Sequence, residues 1–245
     1  MWNKPQLMMA ISELLFVVAG AMLFVAAVVW VARLPLFPLN EVVMTNSLQE
    51  VQKNDLEKAL SGHLKGNFFS VNLEELRATL EQIPWARRVE VRRQWPGRLI
   101  VDMEEHMPMA LWGGSAEFLV NSHGELFTAT MNQRSKALMP ILEGPDNLVQ
   151  DIFAFYLEAK ESLKAIDRAP HRLNISQRLA VKLLLDDGMI VELGRQQPKT
   201  QVKKRLERFV EYYPSVLAAT RHTPKVVDMR YPNGFVVRTG NAPIN

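Results

Sequence analysis

Apolar positions are spread very unevenly along the chain. Residues 14–32 read LLFVVAGAMLFVAAVVWVA, a run without a single charge. As a helix rising about 1.5 Å per residue it covers roughly 28 Å, close to the hydrocarbon thickness of a bilayer. Apolar side chains surround it on every face, which suits lipid better than a half-buried surface helix. Trp30 and Arg33 stand near its end, where amphipathic anchors belong. A cleaved signal peptide is the competing reading, but it calls for about 7–15 apolar residues behind a clearly basic start. Here the run is longer, Lys4 is the one basic residue ahead of it, and Glu13 intervenes. The expectation is a retained transmembrane helix over 14–34 behind a short tail, 1–13. Local charge leans only slightly toward a cytoplasmic tail.

Beyond Pro35 and Pro38, which stop any helix, the periodicity changes. Residues 41–45 read as a strand. Asn54 with Glu57, and Asn72 with Glu75, have the spacing of helix-start capping boxes. Leu56, Ala59, Leu60 and Leu64 follow the first at helical spacing, closed by Gly66; Leu73, Leu76, Leu80 and Ile83 follow the second, ended by Pro84. In 85–95, Val89 and Val91 alternate with Arg88, Glu90 and Arg92, the period-two pattern of a half-buried strand. Pro96-Gly97 supplies a turn into a strand carrying Leu99, Val101 and Met103. The order β-α-α-β-β defines a first domain over 35–107.

From 108 to 240 the pattern is mostly short strands. Residues 109–112, 118–120 and 126–127 read as a meander with a turn at 121–124, and 139–142 as a further strand. A helix is predicted over 148–166, with Ile152, Phe155, Tyr156, Ala159 and Leu163 on one face. Residues 179–185 and 189–193 form the clearest hairpin, around Asp186-Asp187-Gly188. An amphipathic helix over 199–213 is expected to stop at Pro214. Strands over 225–231 and 235–238 flank a Pro232-Asn233-Gly234 turn, and 241–245 form a tail. The fold class is α+β: one N-terminal transmembrane helix, a β-α-α-β-β domain, then a mostly antiparallel β domain with flanking helices.

Composition narrows the function. There is no cysteine among the 245 residues, which excludes disulfide scaffolds, cysteine-based zinc or iron–sulfur sites and thiol catalysis. The net charge of +3 is distributed along the chain, far from the basic excess of a nucleic-acid binder. Arg87, Arg88, Arg92, Arg93 and Arg98 interleave with Glu90, Asp102 and Glu104 and read as solvated strand faces. The five histidines show no zinc-binding spacing, and no Gly-x-Ser-x-Gly, Walker or Gly-x-Gly-x-x-Gly motif occurs. His106 beside Glu104 and Glu105 reads as a solvated charge group. Ser122 and His123 are sequence neighbours expected to point apart. No catalytic residue, cofactor, metal or small-molecule substrate is expected.

The segments Gly66-Asn67-Phe68-Phe69, Ile83-Pro84-Trp85, Val89-Glu90-Val91, Arg93-x-Trp95-Pro96 and Glu105-x-x-Pro108 together resemble a POTRA domain. Farther on stand Gly194-Arg195, then Lys204-Arg205-Leu206-x-Arg208-Phe209-Val210-Glu211-x-Tyr213-Pro214, then Val227-Asp228-Met229-Arg230-Tyr231-x-Asn233-Gly234. This ordered set resembles the FtsQ/DivIB family of bacterial division proteins over nearly the whole chain. The resemblance implies a non-enzymatic, single-pass inner-membrane protein concentrated at the septum, with a cytoplasmic amino end and both folded domains in the periplasm. It implies binding of the periplasmic segments of FtsB and FtsL by the last strand and the helix before it, with FtsK, FtsW and FtsI as further divisome partners.

An open sheet edge is a row of unsatisfied backbone groups that a partner strand can complete. The expected docking surface is therefore 226–238 with the preceding basic helix: Arg230 for a partner carboxylate, Tyr231 as an aromatic anchor, Asn233, Gly234 for close backbone approach, Phe235, Val237, and Lys204 and Arg208 from the helix. Two features depart from the family pattern. Thr239 and Gly240 stand where relatives tend to carry a tryptophan, and Pro232 has no N–H to donate. A membrane-anchored periplasmic enzyme or transport component using a POTRA-like domain for docking is the alternative from a different functional class.

Overall fold

The computed structural model describes residues 5–34, 37–64, 66–114, 117–196, 201–219 and 224–239. Pro35, Gly240, His222, residues 1–4, the start of the expected helix at 199–200 and the tail 241–245 lie outside them. Two compact units result, Met1–Glu105 and His106–Asn245.

The first unit opens with α1 (Pro5–Arg33), nine residues earlier than the uncharged run alone suggests. Within it, Met8–Val31 is long and apolar enough to cross a membrane once, with none of it buried in protein. Then come β1 (Glu41–Met44), α2 (Lys53–His63), α3 (Leu73–Leu80), β2 (Ala86–Gln94) and β3 (Arg98–Glu105). The three strands pair in the order β1-β3-β2, with β1 parallel and β2 antiparallel to β3. Leu76 and Leu80 of α3 close over Val89, Leu99, Val101 and Met103 to form the core.

Asn72 caps α3 as its spacing indicates, accepting from the backbone N–H groups of Glu74 and Glu75. Asn54 does not cap α2. That helix begins at Lys53 behind Gln52, which gives it no side-chain cap. Its entry is set instead by Glu105, whose carboxylate accepts from the N–H groups of Gln49, Glu50 and Val51 at 2.7–2.9 Å. Arg93 is not simply solvated either. It donates to the carbonyls of Phe68 (2.8 Å), Phe69 (3.2 Å) and Val71 (2.6 Å), fixing the loop that leads into α3.

The second unit holds β4 (Pro108–Trp112), β5 (Phe118–Asn121), β6 (Leu126–Thr128), α4 (Gln133–Ala137), β7 (Ile141–Glu143), α5 (Val149–Leu163), β8 (Pro170–Ile175), β9 (Ala180–Leu185), β10 (Ile190–Arg195), α6 (Val202–Ala219), β11 (Val226–Asp228) and β12 (Val236–Arg238). Among the described residues its strands make one nine-stranded sheet in the order β12-β11-β10-β9-β8-β7-β4-β5-β6. Most pairings are antiparallel, but β4–β7, β7–β8 and β10–β11 are parallel. Parallel neighbours need a crossover connection. The segments α5 and α6 supply two of them, which is why both helices pack onto the sheet.

Their buried faces, Ile152, Phe153, Tyr156, Ala159 and Leu163 on α5 and Leu206, Phe209, Tyr213 and Val216 on α6, join Leu173, Leu183, Val191 and Val227 in one core. Pro214 does not stop α6. The helix runs through it to Ala219, because buried Tyr213 and Val216 hold both sides of the break on the core while the proline faces solvent. The strand β8 and the short helix α4 were not apparent in the residue pattern.

A candidate docking edge on the nine-stranded sheet

Among the described residues the sheet ends on one side at β12, whose single neighbour is β11. It is three residues long and pairs Val226 with Arg238, Val227 with Val237 and Asp228 with Val236. Besides the strand pairing, two arginines on α6, three residues apart and so on one helix face, hold this edge.

Arg205 is fully buried and donates to the carbonyls of Leu193 and Arg195 at the end of β10. Its burial and the nearby Arg208 charge both pull its pKa down from the usual guanidinium value. Arg208 donates to Pro232 (2.6 Å), Tyr231 (2.7 Å), Met229 (3.2 Å) and Gly234 (3.4 Å), all through backbone carbonyls. Arg208 thus latches the whole β11–β12 turn to the helix, a task suited to a planar fork with several donors. Pro232 contributes an acceptor here, so its missing N–H costs the turn nothing.

Asp228, at 1% exposure, ends β11. Its carboxylate receives Arg230 through both Nε (2.8 Å) and Nη2 (2.6 Å), and also the Arg230 backbone N–H (3.1 Å). Burial by itself would raise the Asp228 pKa. The hydrogen bonds from Arg230 and the charges of Arg230 and Arg238 outweigh it and hold the group below the ordinary carboxylate range. The Arg230 pKa is raised in return, chiefly by its hydrogen bond to Asp228. Arg230 also approaches Glu192 at 3.4 Å. The guanidinium expected to meet a partner carboxylate is paired with the chain's own Asp228 and Glu192, which project from adjacent strands onto the same face, while the Arg230 side chain stays 53% exposed.

That face carries a continuous polar register line across the sheet. Glu143, Asn174, Lys182, Glu192 and Asp228 are successive cross-strand partners from β7 to β11, and the line ends on Val236 of β12. Glu143 holds Arg172 at 2.8 Å and Asn174 at 2.6 Å, while Lys182 meets Glu192 at 3.5 Å. Next to this line β10 bulges between Glu192 and Gly194. Gly194 has φ +70°, and a Cβ there would lie 2.7 Å from Cγ of Arg230. Glycine is required for the backbone angle and for the room Arg230 takes.

Of the remaining expected residues, Tyr231 is 53% exposed and Asn233 and Lys204 are exposed. Phe235 is half-buried, its ring 6.0 Å from that of Tyr212, and Val237 packs on the main core. A Cβ on Gly234 would meet nothing within 4 Å, so the space beside it is open. Exposed Tyr212, Tyr231 and Val236 thus flank half-buried Phe235 along the edge. Sequence reasoning gave no role to Asp228, Gly194, Arg205 or Tyr212. The one local signal was the Asp-x-Arg spacing at the end of a strand.

The other polar clusters do not converge. His106 stacks on Phe127 at 4.2 Å and meets Asn121, whereas Glu104 pairs with Arg87 and Glu105 holds the entry to α2. Ser122 Oγ and His123 Nδ1, expected to point apart, are 3.2 Å apart in an exposed turn. Among the described residues no group of three or more metal-ligating side chains forms.

Two family models match this chain. The POTRA domain, FtsQ-type, covers residues 37–106, and the C-terminal domain of cell division protein FtsQ/DivIB covers residues 110–230. A relative named cell division protein FtsQ, from Nitrosospira multiformis, is 36% identical over 243 residues, 97% of this chain and 99% of its own. Proteins of the same name from Burkholderia pseudomallei and Bordetella pertussis are 33% and 31% identical, over 97% and 99% of this chain. The chain belongs to the FtsQ/DivIB family. As an FtsQ/DivIB protein it has a role in cell division and the POTRA-plus-sheet architecture seen here. The FtsQ/DivIB model match stops at Arg230, so the turn and β12 lie past the matched residues.

Proposed function

We propose that this chain is a non-enzymatic, single-pass scaffold of the division machinery that binds partner polypeptides by strand addition at β12. The observation carrying this reading is a strand with one neighbour among the described residues, latched from behind by Arg208 and flanked by exposed Tyr212, Tyr231 and Val236. A latched edge offers a partner its backbone groups without first having to be ordered, and the apolar flank gives side-chain pockets. Arg230 and Arg208 serve by holding the edge; Tyr231, Asn233, Gly234, Phe235 and Val237, with Lys204 on the neighbouring helix, form the surface itself.

The partner segments are those the family resemblance implies, FtsB with FtsL, and FtsK, FtsW and FtsI are further members of the assembly. In this reading the POTRA domain spans 35–107 and the β domain 108–240, both periplasmic, behind an inner-membrane anchor at the septum. The test is Tyr231→Ala with Val236→Asp in the full-length protein. Loss of FtsB and FtsL co-purification and filamentous cells, with the circular dichroism spectrum and membrane fraction unchanged, is expected. Normal division with partners still bound overturns the surface. Failed division with every partner retained points instead to an enzymatic or transport role.

A further inference from the structure

Four aromatic rings meet where the first folded unit leaves the membrane helix. Phe37 comes from the connector, Phe68 and Phe69 from the loop before α3, and Trp95 from the tip of the β2–β3 hairpin. Ring centroids are 5.1 Å apart for Phe37–Phe69, 6.1 Å for Phe37–Trp95, 5.8 Å for Phe68–Trp95 and 6.5 Å for Phe69–Trp95. Phe68 is buried at the centre of the group, but Trp95 is 64% and Phe69 46% exposed. Such a patch on a water-facing domain is a cost unless something covers it.

The patch is rigid. Phe68 N–H donates to the Phe37 carbonyl at 2.9 Å, tying the loop to the connector, and Asn40 N–H donates to the Gly97 carbonyl at 2.8 Å, tying the connector to the hairpin tip. Buried Asn67 accepts from the N–H groups of Phe69 and Ser70, and Arg93 holds the carbonyls of Phe68 and Phe69.

Chain connectivity says what covers it. The membrane-crossing stretch ends at Val31 and α1 ends at Arg33. Four residues on, Phe37 can be no more than about 14 Å from the helix end. The headgroup layer of each leaflet is itself roughly 5–8 Å deep, so the patch is tethered within reach of the interface that tryptophan and other amphipathic rings prefer. We propose that Phe37, Phe69 and Trp95 form a second membrane contact, seating this face of the domain on the lipid headgroups and fixing the tilt of the body relative to the bilayer. This rests on the reading of α1 as a membrane anchor.

The absence of native cysteine makes the test direct. Full-length single-cysteine variants Phe69→Cys and, separately, Trp95→Cys carry a nitroxide in phosphatidylcholine–phosphatidylglycerol vesicles holding this chain alone. Leu23→Cys reports insertion of the helix. Arg88→Cys, seven residues up β2 from Trp95 and so roughly 23 Å away, reports the aqueous side. Both patch labels are expected to show an oxygen-to-nickel-chelate collision ratio several-fold above that at position 88. A deep label at 23 with aqueous labels at 69 and 95 overturns the lipid contact and leaves the anchor standing. An aqueous label at 23 overturns both.

Discussion

Replacing Arg208 with methionine tests whether the docking edge is held from behind by α6. Methionine keeps much of the side chain's length and apolar stem but removes every donor. The guanidinium reaches four carbonyls, two of them at 2.6 and 2.7 Å, while its Nε is buried without a partner among the described residues. Hydrogen bonds from a charged donor contribute about 1.5–3 kcal/mol each when buried, and the half-exposed position here calls for a discount. A net loss of about 2 kcal/mol is the working figure, and it falls on one short strand and its turn. A local opening equilibrium shifted by that amount is about 30-fold. Hydrogen–deuterium exchange of the full-length protein reads it directly. Amides across 226–238 should exchange about 30-fold faster in Arg208→Met, while those of α5, β8 and β9 keep their protection. Arg208→Lys should fall between, since a point ammonium cannot fan across several carbonyls. Unchanged protection at 226–238, or loss spread evenly over the sheet, would refute the latch.

The Asp228–Arg230 pair gives a pH signature. The folded Asp228 carboxyl titrates below its unfolded value, so its stabilisation is present above the unfolded pKa of about 4 and is lost as pH falls through the folded value. In urea unfolding, the stability gap between the parent protein and Asp228→Asn should be constant near neutrality and shrink in acid; a gap independent of pH contradicts the pair. Gly194→Ala forces a side chain into φ +70° and against Arg230 Cγ. It should destabilise the second unit by about 1–3 kcal/mol, lowering its thermal midpoint, and an unchanged midpoint would show that the bulge relaxes freely.

Periodic, one-faced patterns translated well from sequence to structure. The spacing of Leu73, Leu76 and Leu80 gave α3 with its Asn72 cap, and the alternation around Asp186-Asp187-Gly188 gave the β9–β10 hairpin. Asn54 misled because a local capping pattern lost to the tertiary grip of Glu105 on the preceding backbone. Pro214 misled because helix-breaking is a local tendency, and packing of Tyr213 and Val216 on the core outweighs it. At the edge, Arg230 and Tyr231 were both legible as residues of interest, but only the folded sheet shows that Arg230 is paired with Asp228 and Glu192.

By itself the sequence determined the elements whose cause lies within a few residues: the apolar span, the helical stripes and the hairpin turns, and, through the absence of cysteine, the lack of thiol chemistry. Tertiary structure alone decided which strands not joined by a hairpin are neighbours and therefore which strand is last. The parallel joins β4–β7, β7–β8 and β10–β11 bring together segments far apart in the chain, and no local pattern records that distance. The same holds for Arg93, Arg205 and Arg208. The carbonyls these arginines hold come from segments far from them in the chain, so no local pattern announces the contact.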